Sequence, residues 1–145
     1  MRMDGRRVMG LTLLEMLVCL VILGTLATLA WPAYQAQQLR ARRSDGQTLL
    51  LRLHMEQQHQ WRLQGRFAQQ AQELGTTGRS QMGHYRLELQ NVSDSGYTLL
   101  AHPTGPQTQD RDCGSLRLIW QDQRALLLGT LESTQSPRCW PGGVP

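Results

Sequence analysis

The chain contains no lysine; all fifteen of its basic side chains are arginine. The formal net charge is only +4, and residues 1–10 account for three arginines against one aspartate, which leaves about +2 for the remainder. That balance is too small to argue for nucleic acid from composition alone. Aromatic residues make up 6% of the chain against 40% hydrophobic, so any folded core must be modest and built on leucine. Catalytic constellations are missing as well. Ser, His and Asp occur without a nucleophile-elbow context, and there is no phosphate loop. His54 and His59 are five residues apart, which puts them on different faces of a helix and argues against a metal site. An enzyme is therefore not expected, nor is a cofactor or a metal.

Charge is also missing from a long stretch. Between Arg7 and Arg40 the only charged side chain is Glu15. It lies near the start of an apolar run, Leu11 to Trp31, which would span about 31 Å as a helix and so cross a bilayer core. A carboxylate there costs roughly 2.5–3.5 kcal/mol on insertion scales, so Glu15 needs a partner. A secretory signal would have a shorter apolar region followed by a small-residue cleavage site. Here the small residue, Gly10, precedes the run, so cleavage after it would leave the membrane segment in place. Arg2, Arg6 and Arg7 before the run are nearly balanced by Arg40, Arg42 and Arg43 after it, and charge does not fix the orientation.

Cysteines are few. Cys19 lies inside the apolar run and reads as a small hydrophobe. Cys113 and Cys139 have no metal-ligand spacing; with an export-type N-terminus they read as one disulfide in an oxidising compartment, the alternative being two unrelated thiols. The disulfide reading places the C-terminal part outside the cytoplasm.

Proline is absent from Ala33 to His102. After Pro32 a helical signal resumes to near Arg62, so the whole helix would run about 75–80 Å. Leu39, Gly46, Leu49, Leu50, Leu53 and Trp61 form one stripe at helical period, with Arg43, Gln47, Arg52, Glu56 and Gln58 expected on the opposite face. Gly65 to Gly83 is a connector with room for a short helical piece around Ala68 to Leu74. The period then changes to two. Tyr85, Leu87 and Leu89, then Tyr97, Leu99 and Ala101, predict one antiparallel hairpin; Leu116, Leu118 and Trp120, then Leu126 and Leu128, predict a second around Gln121-Asp122-Gln123. Residues 130–145 read as irregular. The expected class is α+β, one long N-terminal helix packed on a four-stranded antiparallel sheet. Trp31 reads as a membrane-interface anchor, and Trp61, Trp120 and Trp140 as core or loop packing.

Gly10-Leu11-Thr12-Leu13-Leu14-Glu15 resembles the processing and assembly motif of the type IV pilin family, and the resemblance continues through Gly24, Pro32 and Tyr34. Arg111-Asp112-Cys113-Gly114-Ser115-Leu116 and Arg138-Cys139-Trp140 are similar to minor pilins of the PilE type. The resemblance implies the type IV pilin fold with a C-terminal disulfide loop. It also implies cleavage between Gly10 and Leu11 by a prepilin peptidase and methylation of the new Leu11 amine, although most members carry Phe where this chain has Leu11. The segments would be a leader at 1–10, a transmembrane and assembly helix at 11–32, and a periplasmic globular domain at 33–145. Glu15 would neutralise the amine of a neighbouring subunit and set the register of the filament. Gly24 and Pro32 would let the helix melt between them during extraction. The partners implied are other pilin subunits, the peptidase and the inner-membrane assembly machinery, and the subunit would pass from the inner membrane to an extracellular pilus.

The leading expectation is a minor pilin involved in pilus assembly, twitching motility and adhesion. One rival is a pseudopilin of a type II secretion system, against which the predicted disulfide speaks. Another is a pilin-like subunit for DNA uptake, which would need an exposed basic stripe such as Arg79, Arg86, Arg117 and Arg124. The near-neutral chain argues against that stripe, so nucleic acid is not an expected partner. Arg40, Arg42 and Arg43 read as a solvated or headgroup-contacting cluster, the sharper alternative being contact with acidic groups of neighbouring subunits.

Overall fold

The structure, a computed structural model, describes residues 12–131, 134–136 and 139–140. The expected cleavage site at Gly10 and Leu11, the leader arginines, and Pro137, Arg138 and Pro141 lie outside the described residues.

Helix α1 runs Leu13–Gln64 and passes through Pro32 without a break. Its first turn contains Glu15, whose backbone N–H is accepted by the Thr12 hydroxyl at 3.2 Å, the local bond of a helix start. Five antiparallel strands follow: β1 Tyr85–Gln90, β2 Gly96–Pro103, β3 Ser115–Gln121, β4 Arg124–Leu131 and β5 Thr134–Ser136. Their order in the sheet is β1-β2-β3-β4-β5, a meander of sequential neighbours. The four expected strands are present. The fifth is a correction to the irregular tail: Thr134–Ser136 pairs with Gly129–Leu131, and three residues are too few to show a period of two.

The chain divides into two compact units between Ala36 and Gln37. The first is solvent-exposed along its described length. The core belongs to the second. Leu49, Leu50 and Leu53 of α1 are buried together with Tyr85, Leu87, Tyr97, Leu99, Leu116 and Leu118 of the sheet. Leu39 is only half-buried and Trp61 is exposed, so the apolar stripe is shorter at both ends than its period suggests. The seam is close at Gly46, where an added Cβ would stand 2.8 Å from the Tyr85 ring and 3.0 Å from Leu116.

Polar side chains on α1 complete the seam. Arg43, Gln47 and Gln58 point inward rather than to the opposite face, and only Arg52 and Glu56 of that expected set are exposed. The Gln47 amide donates to the Cys139 carbonyl at 2.7 Å, and the Gln58 amide donates to the Tyr97 hydroxyl at 3.2 Å. Gln57, fully buried, donates to the Ala68 carbonyl at 3.0 Å and accepts from the Ala68 N–H at 2.8 Å, which docks the connector on the helix. Buried Asp45 accepts from the Ser80 hydroxyl at 2.6 Å and from the N–H groups of Met82 and His84 at 3.1 and 3.3 Å. The connector itself contains a 3-10 turn at Ala71–Leu74, shorter than the helical piece expected there. The β3–β4 turn holds both Asp122 and Gln123 at positive φ, +49° and +61°, the backbone of a tight hairpin turn made without glycine. Cys113 and Cys139 form the expected disulfide, with Cα atoms 5.6 Å apart, and tie the tail to the start of β3.

Two glycines of α1 have opposite surroundings, and their substitution separates packing from propensity. Gly46→Val will destabilise the folded unit by about 1–3 kcal/mol through overpacking. Gly24→Ala, where an added Cβ meets nothing within 4 Å, will instead raise helix stability by about 1 kcal/mol. Urea unfolding of the detergent-solubilised chain, followed by circular dichroism, reads both.

Candidate functional site

Two regions of the chain bear on function, and each lies within one unit. The first is the apolar part of α1. It is long and apolar enough to cross a membrane, and none of it is buried within the molecule. Leu13, Leu17, Leu20, Leu23 and Leu29 are all exposed, so this surface is free for lipid or for other helices. Glu15 is exposed in the first turn and has no ion-pair partner among the described residues. Its position at the helix N-terminus offsets part of the cost of the charge, a contribution absent from an argument based on insertion scales alone. Thr25 and Thr28 return their hydroxyls to the carbonyls of Ile22 and Thr25, both at 2.8 Å, so neither presents a free donor to the bilayer. Pro32 lacks an N–H and leaves one carbonyl of the preceding turn without its helical donor.

The second region is the sheet face turned away from α1. Residues opposite one another in a ladder project to the same side, and residues two apart along a strand do so as well. Arg79 forms an isolated bridge with Arg86. Arg86 lies opposite His102 of β2, and His102 touches Ser115 of β3, its Nδ1 3.0 Å from the hydroxyl. Arg117 is two residues beyond Ser115 and lies opposite Leu128 of β4, and Arg124 is four residues from Leu128. All four arginines therefore share one face. The core-facing set, Tyr85, Leu87, Tyr97, Leu99, Leu116 and Leu118, occupies the other.

Arg79, Arg86 and Arg124 are exposed and Arg117 is half-buried. One carboxylate interrupts the strand positions of this face. Glu88 accepts from His102 Nε2 at 2.6 Å and from the Gln90 amide at 2.6 Å, and these bonds, Gln90 first and then His102, hold its acid below the usual range. Leu100, Leu128 and Thr98 are buried on the same side, so the middle of the face is covered. Four arginines against one carboxylate give this face more positive charge than the net of the chain beyond residue 10. The small total charge concealed it, because acidic side chains elsewhere cancel the sum but not the local field.

The arginine cluster after the apolar run divides in two. The Arg43 guanidinium clamps buried Asp110 with Nε and Nη2 at 2.6 and 2.7 Å and reaches Asp112 at 3.4 Å. Its bond to Asp110 raises its pKa despite the opposing effect of burial. The solvated reading therefore fails for Arg43, which is an internal anchor; breaking such a pair costs about 3–5 kcal/mol, because a buried charge is left behind. Arg42 bonds Gln38 at 3.2 Å, and Arg40 is exposed. Nothing in the local sequence distinguishes the three arginines; only helix phase against the distant Asp110 does.

Burial also shifts two core tyrosines. Tyr85 and Tyr97 are each pushed up to about 12, chiefly because their rings are taken out of water. The Tyr97 hydroxyl lies 2.7 Å from His54 Nδ1, and burial pushes the His54 imidazole below its ordinary value.

Residues 32–117, more than half of the chain, match a family described as the type IV minor pilin ComP, DNA uptake sequence receptor. Residues 6–31 match the prokaryotic N-terminal methylation motif. No curated protein matches the chain.

The tyrosine shifts fix an alkaline limit. The unfolded chain loses these phenolic protons near pH 10 and the folded one near 12, so over that interval the folded state holds more protons than the unfolded state. Stability is therefore full below about pH 10 and will fall as the pH rises from about 10 to 12. Thermal melts across this range will show the decline. Tyr97→Phe will remove part of it, and parallel ultraviolet titration will show that variant ionising one fewer tyrosine near pH 12.

Proposed function

Because the chain belongs to the family of type IV minor pilins, we propose that it is a pilus subunit whose outer sheet face binds DNA. The placement of Arg79, Arg86, Arg117 and Arg124 on one face carries this reading. The description of the matched family, a DNA uptake sequence receptor, supports it. The preference drawn from net charge, against nucleic acid, gives way here to the local distribution. Twitching motility and adhesion follow from membership of a filament and have no residue-level support of their own.

Assembly uses the N-terminal segment. The match to the methylation motif supports cleavage between Gly10 and Leu11 and methylation of Leu11. Residues 1–10 are then a leader, 11–32 the transmembrane and assembly helix, and 33–145 the domain held in the periplasm and later displayed on the extracellular pilus. Cleavage creates an amine, and Glu15 supplies the opposite charge. In one subunit that carboxylate has no ion-pair partner among the described residues; between subunits, the pairing offsets two desolvation costs in a lipid-like environment. Gly24 and Pro32 provide the weak stretch where the helix yields during extraction. The family is structural, and the chain needs no catalytic group for this role.

On this reading Glu15→Val will leave the subunit abundant in the membrane fraction and deplete it at least tenfold from sheared filaments. Equal recovery of both forms in filaments would overturn the role of Glu15.

DNA contact has a quantitative signature. Four arginines engaging four phosphates release counterions, and the slope of log Kobs against log salt should be about −3.6 for duplex DNA. Titration of labelled duplex with the full chain in detergent, between 50 and 200 mM salt (about 150-fold in affinity at that slope), measures it. Arg86→Gln will reduce the slope by about 1. No binding, or a slope unchanged in Arg79→Gln, Arg86→Gln and Arg124→Gln alike, would refute the DNA reading.

A further inference from the structure

A cavity of about 550 Å³ opens in the second unit where the tips of the two hairpins meet the C-terminal part of α1. Its walls include Trp61, Phe67 and Trp120. Trp61, expected in the buried stripe, is 46% exposed and stacks on Phe67 with ring centres 6.3 Å apart and an interplanar angle of 26°. Asp94 from the β1–β2 loop and Asp122 from the β3–β4 turn stand at the same cavity. Both are exposed, and neither has an ion-pair partner among the described residues.

Aromatic faces with two unpaired carboxylates select a cation. The rings attract positive charge through their quadrupoles, and the carboxylates accept charge-assisted hydrogen bonds. A planar guanidinium satisfies both requirements, because it stacks flat on a ring while its fork bonds a carboxylate. The same carboxylates repel phosphate, so the cavity is chemically distinct from the arginine face. Two cations of the unit are already committed, Arg43 to Asp110 and Arg66 to Glu73, so neither supplies that guanidinium.

Arg40 is exposed and lacks an ion-pair partner among the described residues. It stands near the other end of the same unit, since Arg40 and Trp61 are separated along α1 by about 31 Å. A contact between the opposite ends of identical units is heterologous, and where its rotation does not close it propagates as an open filament. We propose that the cavity receives the Arg40 side chain of a second copy of this chain. This contact deepens the filament reading: Glu15 pairs subunits through their helices, and Arg40 keys the globular units end to end.

The test uses the full chain in detergent micelles, with Cys19→Ser throughout so that the native disulfide is the only background. Ala41→Cys and Gln123→Cys place thiols beside the donor and beside the cavity. Mild oxidation of the double variant will give dimers and higher species at least fivefold above either single variant. Adding Asp94→Arg and Asp122→Arg will abolish the ladder, and Arg40→Asp on that background will restore it. Absence of a ladder, a ladder indifferent to the charge reversal, or failure of Arg40→Asp to rescue it overturns the contact. This result does not depend on filament fractionation: loss of the subunit from filaments in unaltered cells would refute the filament reading alone.

Discussion

The folded unit depends on how closely α1 approaches the sheet at Gly46. The Tyr85 ring and Leu116 fill the space where any other side chain would begin. That proximity lets a leucine core of modest size be covered from both sides, and it brings the polar residues of α1 within reach of distant loops. Asp45, next to Gly46, can then accept three bonds from residues 80–84. Arg43, one turn earlier, can meet Asp110, and Gln47 can meet Cys139. Each bond fixes a loop on the helix at a point where leucine would give burial but no register. Gln107 joins the same system, its buried amide within 3.1 Å of the Leu39 carbonyl and Asp110 and 3.0 Å from the Tyr85 hydroxyl.

Much of this architecture was legible in the chain. The change from helical to two-residue period at Tyr85 marks the end of the helical half and the first strand, and the two hairpins fall where their alternation ends in polar turns. The disulfide followed from two isolated cysteines and the compartment implied by the N-terminus. What could not be read has a common physical origin. Arg43, Gln47 and Gln58 are polar, and a hydrophobicity pattern assigns polar residues to solvent; only partners 67, 92 and 39 residues away bring them inward. Strand β5 owes its existence to the edge of β4 rather than to its own three residues. The Asp122-Gln123 turn lacks the glycine that usually announces its backbone.

The basic face shows a different limit. A net charge is a sum over the whole chain, whereas a ligand responds to charges within about a Debye length, about 8 Å at physiological ionic strength. Antiparallel pairing carries Arg79, Arg86, Arg117 and Arg124 to one side from four separate sequence positions. The alternation of each strand was visible, but sidedness across strands needs the register, and a shift of one residue would send the arginines of that strand into the core. Register is set here in large part by the core, because Tyr85, Leu87, Leu99, Leu116 and Leu118 are buried together and a one-residue slip of a strand would expose its share of them. The apolar face thereby determines the polar one.

Segregation of charge on a single small unit also bears on how a filament subunit could hold DNA. The arginine face attracts phosphate, while the cavity with Asp94 and Asp122 repels it, so the proposed DNA contact and the proposed subunit contact select ligands of opposite charge. A face with four arginines binds weakly by itself at physiological salt, since nonspecific binding of this kind lies near 10⁻⁴–10⁻⁶ M, to order of magnitude. End-to-end stacking changes that arithmetic without any new contact to DNA. Once one face is engaged, a neighbouring face meets the same strand at a high effective concentration, and overall avidity can exceed the single-face affinity by roughly 10²–10⁴. Under this mechanism, assembly through Glu15 and Arg40 is what makes the arginine face effective, and a monomer carrying the same arginines would release DNA readily.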